Sequence, residues 1–507
     1  MESLNATATA TAVTVLGITA YLFWAWHRLS HVPGPFWASI SKYWMVRQSL
    51  HGQMHRALKE LTDRYGSLVR IGPNDLVTDD PDVLRHMMAA RSAYSRGPWY
   101  DAMRFDPSRD NLLSMRDNEN HRKLRNQMAA GYSGKENESM DGTIDRQIAN
   151  LVHLIETRYV SIGPDYRPMD LGQKSQFFTL DVISDLAFGE AFGYLKHDED
   201  VFDYIQITDR YIPAMLVMAN LPWLARLTHT RLFRHVLPKE SDKLGFGAFI
   251  GVAKKVVRER FQPGAESKRD MMASFMRHGL TQDELAGESL LNVIGGSDTV
   301  AATIRVVMLH LMSVPSIYRR LQAEMDDAIA EGRISSPIHN REARQLPYLQ
   351  AVIQEGLRIM PPATGLFSKQ VPAGGDVING IFVPGGTQIS SCAFGIHHST
   401  KIFGGDADLF RPERWLEAEG DVLARMLSTE ELIFHSGGFQ CLGKPVALME
   451  LNKIFVELLR RFDFGIVNPN RPADIKNAGI WIITNFWVRV TRRNLGGIGG
   501  TGGSGSG

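Results

Sequence analysis

Cys441 lies in "FHSGGFQCLGK", residues 434–444, and is one of two cysteines in a chain of 507 residues. With only Cys392 as a possible mate, no disulfide framework can form, and a zinc site would want three or four ligands where the chain offers two cysteines and a His435 too near to close round. An inert buried thiol remains open. So does a nucleophile, although the neighbouring sequence supplies no base to activate it. The frame of the sulfur points elsewhere: Gly437 and Gly443 bracket it, and glycine permits both a tight turn that aims a side chain and the close approach of a flat ligand to the backbone. Apolar residues at Ala447, Leu451, Ile454, Phe455 and Leu458 predict an amphipathic helix opening at Cys441, whose free amides and dipole would favour a thiolate.

Two other groups have spacing that could do work. In "EGLR", Glu355 and Arg358 stand three apart and so share a helix face; Arg414, in the proline-containing "DADLFRPERW", is placed to bring a second guanidinium to the same carboxylate. A buried Arg–Glu–Arg cluster of that kind would fix the course of the loop leading to Cys441. In "GGSDTV", residues 295–300, Gly295 and Gly296 fall inside a helical pattern, where each costs roughly 1 kcal/mol relative to alanine. Either the helix packs closely there, or it is loosened so that Asp298 and Thr299 face a cavity and bond to a ligand or water instead of the backbone.

The elements that must position these groups are mostly helical. Thr281 and Glu284 form a capping box, and the helix they open runs without proline to Pro315. Pro347 suits the first turn of "PYLQAVIQEGLRIM", which must end near Pro361. "SLVRIG", "VINGIFVP" and "WIITNFWVRV" read as short strands, too few for a large sheet. The fold class is therefore mainly α with small β-sheets. Three segments are expected: an N-terminal membrane anchor at 1–30, one large domain at 31–495, and a flexible Gly/Ser tail at 496–507.

Residues 6–26 carry no charge and match the roughly 20 residues needed to cross a bilayer core of about 30 Å. Glu2 precedes them and His27 and Arg28 follow, so the positive-inside rule puts the body in the cytosol; "HVPGP" reads as a stiff hinge beyond the membrane. A hydrophobic fraction of 44% and a net charge of +1 describe a globular body and exclude nucleic acid as an electrostatically captured partner.

Together the motifs resemble the cytochrome P450 family of haem-thiolate monooxygenases over residues 32–490. "FHSGGFQCLGKPVA" matches the haem-binding loop at Phe434, Gly437, Cys441, Gly443 and Ala447, while "EGLR" and "FRPERW" match the Glu355, Arg358 and Arg414 triad. "GGSDT" matches the oxygen-activating helix, and "HRKLR" supplies His121 and Arg125. The resemblance implies haem b held by the Cys441 thiolate, with Thr299 and Asp298 handling dioxygen and protons. It also implies a lipophilic small-molecule substrate and electrons from an NADPH-dependent cytochrome P450 reductase. The anchor and hinge resemble those of microsomal eukaryotic members, implying a single-pass protein of the endoplasmic reticulum membrane; "YSRGPWYDAMRFDPSRDNLLSM" and "GYSGKEN" resemble filamentous-fungal enzymes of secondary metabolism.

Phe439 departs from the family pattern, since Arg or His usually stands two residues before the cysteine to meet a haem propionate. Lys369 in "SKQVPAGG", with His121 and Arg125, is expected to take over that role, so that haem is retained. Residues 94–116, 204–237, 365–367 and the strand around Trp481 are expected to line the substrate pocket, with Trp99, Tyr100, Met103, Phe105, Met215 and Met218 favouring an apolar ligand. Two other readings compete with the monooxygenase: a haem-thiolate enzyme that rearranges or dehydrates its substrate without reductase electrons, and a haem-binding protein without turnover. The Asp298–Thr299 pair speaks against the first, and only Phe439 favours the second.

Overall fold

The computed structural model describes residues 2–493 apart from 107–108, 137–139, 229, 231–238, 241, 243–244 and 267; the tail expected at 496–507 lies outside the described residues. In chain order, the elements used below are helix α1 (Glu2–Arg28), strands β1 (Leu68–Gly72), β2 (Asp75–Thr78) and β3 (Ser95–Arg96), and helices α2 (Asn118–Tyr132), α3 (Met140–Leu154), α4 (Leu171–Phe188) and α5 (Tyr204–Asn220). Helices α6 (Gln282–Ser313) and α7 (Pro347–Ile359), strands β4 (Lys369–Gln370) and β5 (Gln388–Ser391), and helix α8 (Lys444–Leu459) complete them.

The architecture is mainly helical with small sheets. Helix α6 starts at the expected capping box, in which Glu284 receives the Thr281 amide at 2.8 Å and returns its own amide to the threonine hydroxyl, and it stops just short of Pro315. Although long and apolar enough to cross a membrane, 72% of its apolar window is buried. It is the central core helix, packed against α4, α7 and α8.

Five short strands make the main sheet in the order β1-β2-β5-β4-β3, with only β2 and β5 parallel. Its narrow end matters most for the site: in the two-residue β3–β4 ladder, Arg96 stands opposite Lys369. "VINGIFVP" forms a separate hairpin, and "WIITNFWVRV" splits into Trp481–Thr484 and Trp487–Arg492, which join two different sheets.

The end of α1 does not swing free. Ala25 and Leu29 are buried, and the buried Arg70 guanidinium donates to the carbonyls of Ala25 at 2.7 Å, Trp26 at 2.9 Å, Ser39 at 3.2 Å, Gly72 at 3.2 Å and Pro73 at 2.8 Å. A cation on the last carbonyls of a helix complements its dipole. The Pro33 carbonyl receives the Arg70 amide at 2.8 Å, and a Cβ at Gly34 would sit only 3.0 Å from that of Arg70. The "HVPGP" segment is therefore stiff, as expected, yet fastened to β1 rather than hinged. Further out, Val15, Leu16, Ile18, Phe23 and Trp24 are exposed, an apolar surface that nothing in the fold covers.

Candidate active site

Glu355 on α7 is fully buried and saturated. Arg358 grips it with two bonds, Nε to Oε2 at 2.9 Å and Nη2 to Oε1 at 2.7 Å; Arg414 Nε adds 3.1 Å, the Trp415 indole 2.9 Å and the Arg411 amide 2.8 Å. The remaining guanidinium hydrogens reach the carbonyls of His397, Phe403, Ala407 and Leu409. The triad thus pins residues 397–415, from which the chain runs on to the cysteine loop.

Within that loop the chain turns twice at positive φ, at His435 (58°) and Gly437 (57°), and the Cys441 amide closes it on the Phe434 carbonyl at 2.7 Å. A Cβ on Gly437 would collide with the Met88 backbone, so this glycine serves the turn and a contact with its own chain. It is not among the residues that line the cavity, so the cofactor-binding place expected for it would be that of a turn-former in the loop. Helix α8 opens at Lys444 with Gly443 as its cap, three residues later than the spacing suggested, because residues 441–443 form a turn and not the first turn of the helix. Cys441 is exposed, but into a cavity of about 280 Å3. Burial pushes its thiol up, opposed by amide hydrogen bonds from Gly443 and Lys444 and by the charge of Arg125. A bound cation is what would bring such a sulfur to the thiolate.

Thr299 lines the same cavity and donates to the Gly295 carbonyl at 2.9 Å, so the helix is intact rather than loosened. The two glycines divide the alternatives between them: a Cβ on Gly296 would come within 2.8 Å of Ile183, whereas one on Gly295 would meet nothing within 4 Å. Close packing explains the first, and open space over the cavity the second. Asp298 points elsewhere. It lines a separate chamber of about 20 Å3, where Gln176 donates to it at 2.7 Å and Tyr204 at 3.3 Å, and burial drives its carboxyl up to about 6. Successive helical residues differ by about 100° in direction; here the step forward from Thr299 keeps Val300 on the cavity, and the step back carries Asp298 to the other chamber.

Across the cavity from α6, four basic side chains gather around the Phe439 ring. Lys369 Nζ sits 2.8 Å above its centroid, the Arg96 guanidinium carbon 5.2 Å away, and His121 stacks on it at 5.1 Å. Arg125 completes the group, holding the Gln440 carbonyl at 2.5 Å. None of the four pairs with a carboxylate among the described residues; Lys369 Nζ and Arg96 Nε are buried with no hydrogen-bond partner at all. Burial, helped by the neighbouring Arg96, lowers the Lys369 amine to about 6, and burial plus Arg96, Arg125 and Lys369 lowers His121 to about 3. Buried cations left without counter-charge are costly, and a dianionic ligand would relieve them.

A profile of the Cytochrome P450 family matches residues 32–485. Cytochrome P450 monooxygenase ABA1 of Pyricularia oryzae is 41% identical over 95% of this chain and 96% of its own length. Cytochrome P450 monooxygenase aba1 of Botryotinia fuckeliana is 41% identical over 91% and 92%, and abl1 of Leptosphaeria maculans 36% over 92% and 84%. The chain is a cytochrome P450.

The cofactor of a P450 is haem b, and the cavity fits it: one wall carries a sulfur framed by amides, one end carries unpaired cations for two propionates, and Gly295 leaves the opposite wall open. Lys369, His121, Arg125, Phe434 and Gly443 all border this P450's cavity, as expected, together with Cys441. Arg96, inside the 94–116 stretch expected to line the pocket, does border the cavity, but its place in the basic cluster was not anticipated. It lies in a two-residue strand whose partner is 273 positions away by number (369 − 96), and only the ladder register brings it to Lys369. Of the expected pocket residues, Tyr100, Leu112, Leu113 and Phe367 line the cavity, while Trp99, Met103, Phe105 and Met215 are core. Among the described residues of 204–237 none borders it, and Trp481 faces the Asp298 chamber instead.

Proposed function

We propose that this P450 inserts one atom of dioxygen into a lipophilic small molecule, drawing electrons from an NADPH-dependent reductase, in secondary metabolite biosynthesis. The observation that carries the reading is the meeting in one cavity of Cys441, Thr299 and a cation cluster with no acid of its own. Haem held there would supply dioxygen activation and oxygen transfer. Cys441 would hold the haem iron through its sulfur, which the amides of Gly443 and Lys444 stabilise. Lys369, Arg96, His121 and Arg125 would hold the propionates.

Thr299 Oγ, bonded to its own helix, is free to turn and donate into the cavity. Asp298, one residue back, faces the small chamber behind the helix, where burial holds its carboxyl up at about 6, so it can hold or release a proton there near neutral pH. The mostly apolar side chains around Phe367, Leu112 and Val300 exclude water and orient an apolar substrate. The exposed apolar surface of α1 supports a single-pass anchor at 1–30 in the endoplasmic reticulum membrane, with the catalytic domain, 31–495, in the cytosol and 496–507 as a tail.

A reduced carbon monoxide difference spectrum tests the thiolate: a maximum at the position of imidazole-ligated haem proteins overturns the assignment of Cys441. Product analysis and substrate-dependent NADPH consumption with added reductase then separate oxygen insertion from rearrangement, which needs no reductase electrons.

A further inference from the structure

Leu112 and Leu113 reach the cavity from a segment that is neither helix nor strand, so something else must hold them. The Leu112 peptide is gripped from both sides. Its amide donates to Glu288 Oε1 at 2.8 Å, and its carbonyl receives Arg96 Nη1 at 2.5 Å; the same nitrogen holds the Met115 carbonyl at 3.0 Å. Glu288 stands on α6, 1% exposed, with Oε2 buried and unpartnered, and it also borders a charged cavity of about 440 Å3 outside the site. Arg96 belongs to the cation cluster described above. No role in the proposed chemistry uses Glu288.

We propose that Glu288 is a positioning residue for substrate: it fixes the Leu112 peptide between α6 and Arg96, so that the loop carrying Leu112 and Leu113 keeps its shape over the cavity. The inference rests on the haem-binding reading, because Arg96 is shared between the loop and the propionate site. One grip is a carboxyl oxygen accepting from an amide, which needs no charge. Burial pushes the Glu288 carboxyl up to about 8, towards the neutral form, and glutamine reproduces both its shape and its accepting oxygen.

The test uses the haem-loaded full chain with two iron-ligating probes, imidazole and the bulky azole clotrimazole, read by the shift of the haem absorption band, and amide hydrogen exchange over residues 109–116. Glu288→Leu is expected to weaken clotrimazole about three- to tenfold, the worth of one neutral hydrogen bond, to speed exchange at 109–116, and to leave imidazole unchanged. Glu288→Gln is expected to behave as the parent in all three. Should Glu288→Leu fail to load haem, Glu288→Met carries the same expectations. The proposal is overturned if both azoles weaken equally, if clotrimazole binding and exchange stay at parent values in the apolar variant, or if glutamine fails as leucine does. Absence of any azole shift in the parent would instead overturn the haem reading on which it rests.

Discussion

Two clusters of basic side chains serve the cysteine site, one fixing the chain that leads to its loop and one lining its cavity, and they are opposites. Around Glu355, Arg358 and Arg414 direct nearly every hydrogen at a carboxylate or a carbonyl, and nothing further is wanted. Around Phe439, Arg96, Lys369, His121 and Arg125 have no acid, and two of them have buried nitrogens without a partner. The first cluster is complete in the protein alone and serves the fold. The second is complete only with an anionic ligand and serves the site. Buried charge by itself says little about role, and the degree to which it is satisfied says much more.

The largest expected effect tests the closed cluster. Glu355→Ala leaves the buried Arg358 without a carboxylate and Arg414 with Asp406 alone, which costs about 3–5 kcal/mol. Chemical denaturation should show that loss whether or not haem is present. Loss confined to the haem-loaded protein would erase the distinction between the clusters.

The open cluster should respond the other way. Lys369→Met is expected to leave the stability of the haem-free chain equal or higher, while haem binding weakens roughly tenfold to a hundredfold, the worth of a charge-assisted bond of about 1.5–3 kcal/mol. Haem transfer to an acceptor protein measures it. Equal affinity in parent and variant would show that Lys369 has no part in holding haem.

A third expectation concerns protons. Lys369 is surrounded by Arg96, His121, Arg125 and the buried His435, all cationic or neutral, and its amine sits at about 6. A propionate beside it favours the ammonium form, so its value rises on haem binding and protons are taken up above about pH 6. The sign is fixed: haem affinity falls as pH rises through that window, and the uptake disappears in Lys369→Met. Binding in weakly buffered indicator solution reads it directly, and proton release would contradict it.

Phe439→Arg should have the smallest effect. It restores the family's usual cation but removes the π face on which Lys369 and Arg96 rest, so haem affinity is expected to change by no more than about threefold, under about 1 kcal/mol. A large gain would mean that the other four residues do not compensate for Phe439.

How much of this was legible beforehand follows from distance along the chain. The ends of α6 and α7 were readable because a capping box and prolines act on the turn beside them. The start of α8 was placed three residues early because residues 441–443 form a turn that leads into the helix without joining it, and the apolar spacing from Ala447 onward does not mark where the first turn begins. Cys441, Thr299 and the Glu355 triad were visible as local motifs. Arg96 and Glu288 were not, since a lone arginine in a loop and a lone glutamate in a helix carry no local mark.

The family, the sulfur, the helix that opposes it and the order of the parts could be read from the residues in line, because those depend on spacing within a few turns. Tertiary structure decided which neighbours share a wall. It turned Asp298 away from Thr299's cavity, turned Gly437 against Met88 rather than a ligand, and brought Arg96 opposite Lys369 over Phe439. The physical reason is that burial and register are properties of packed surfaces, and no residue carries them until its distant partners arrive.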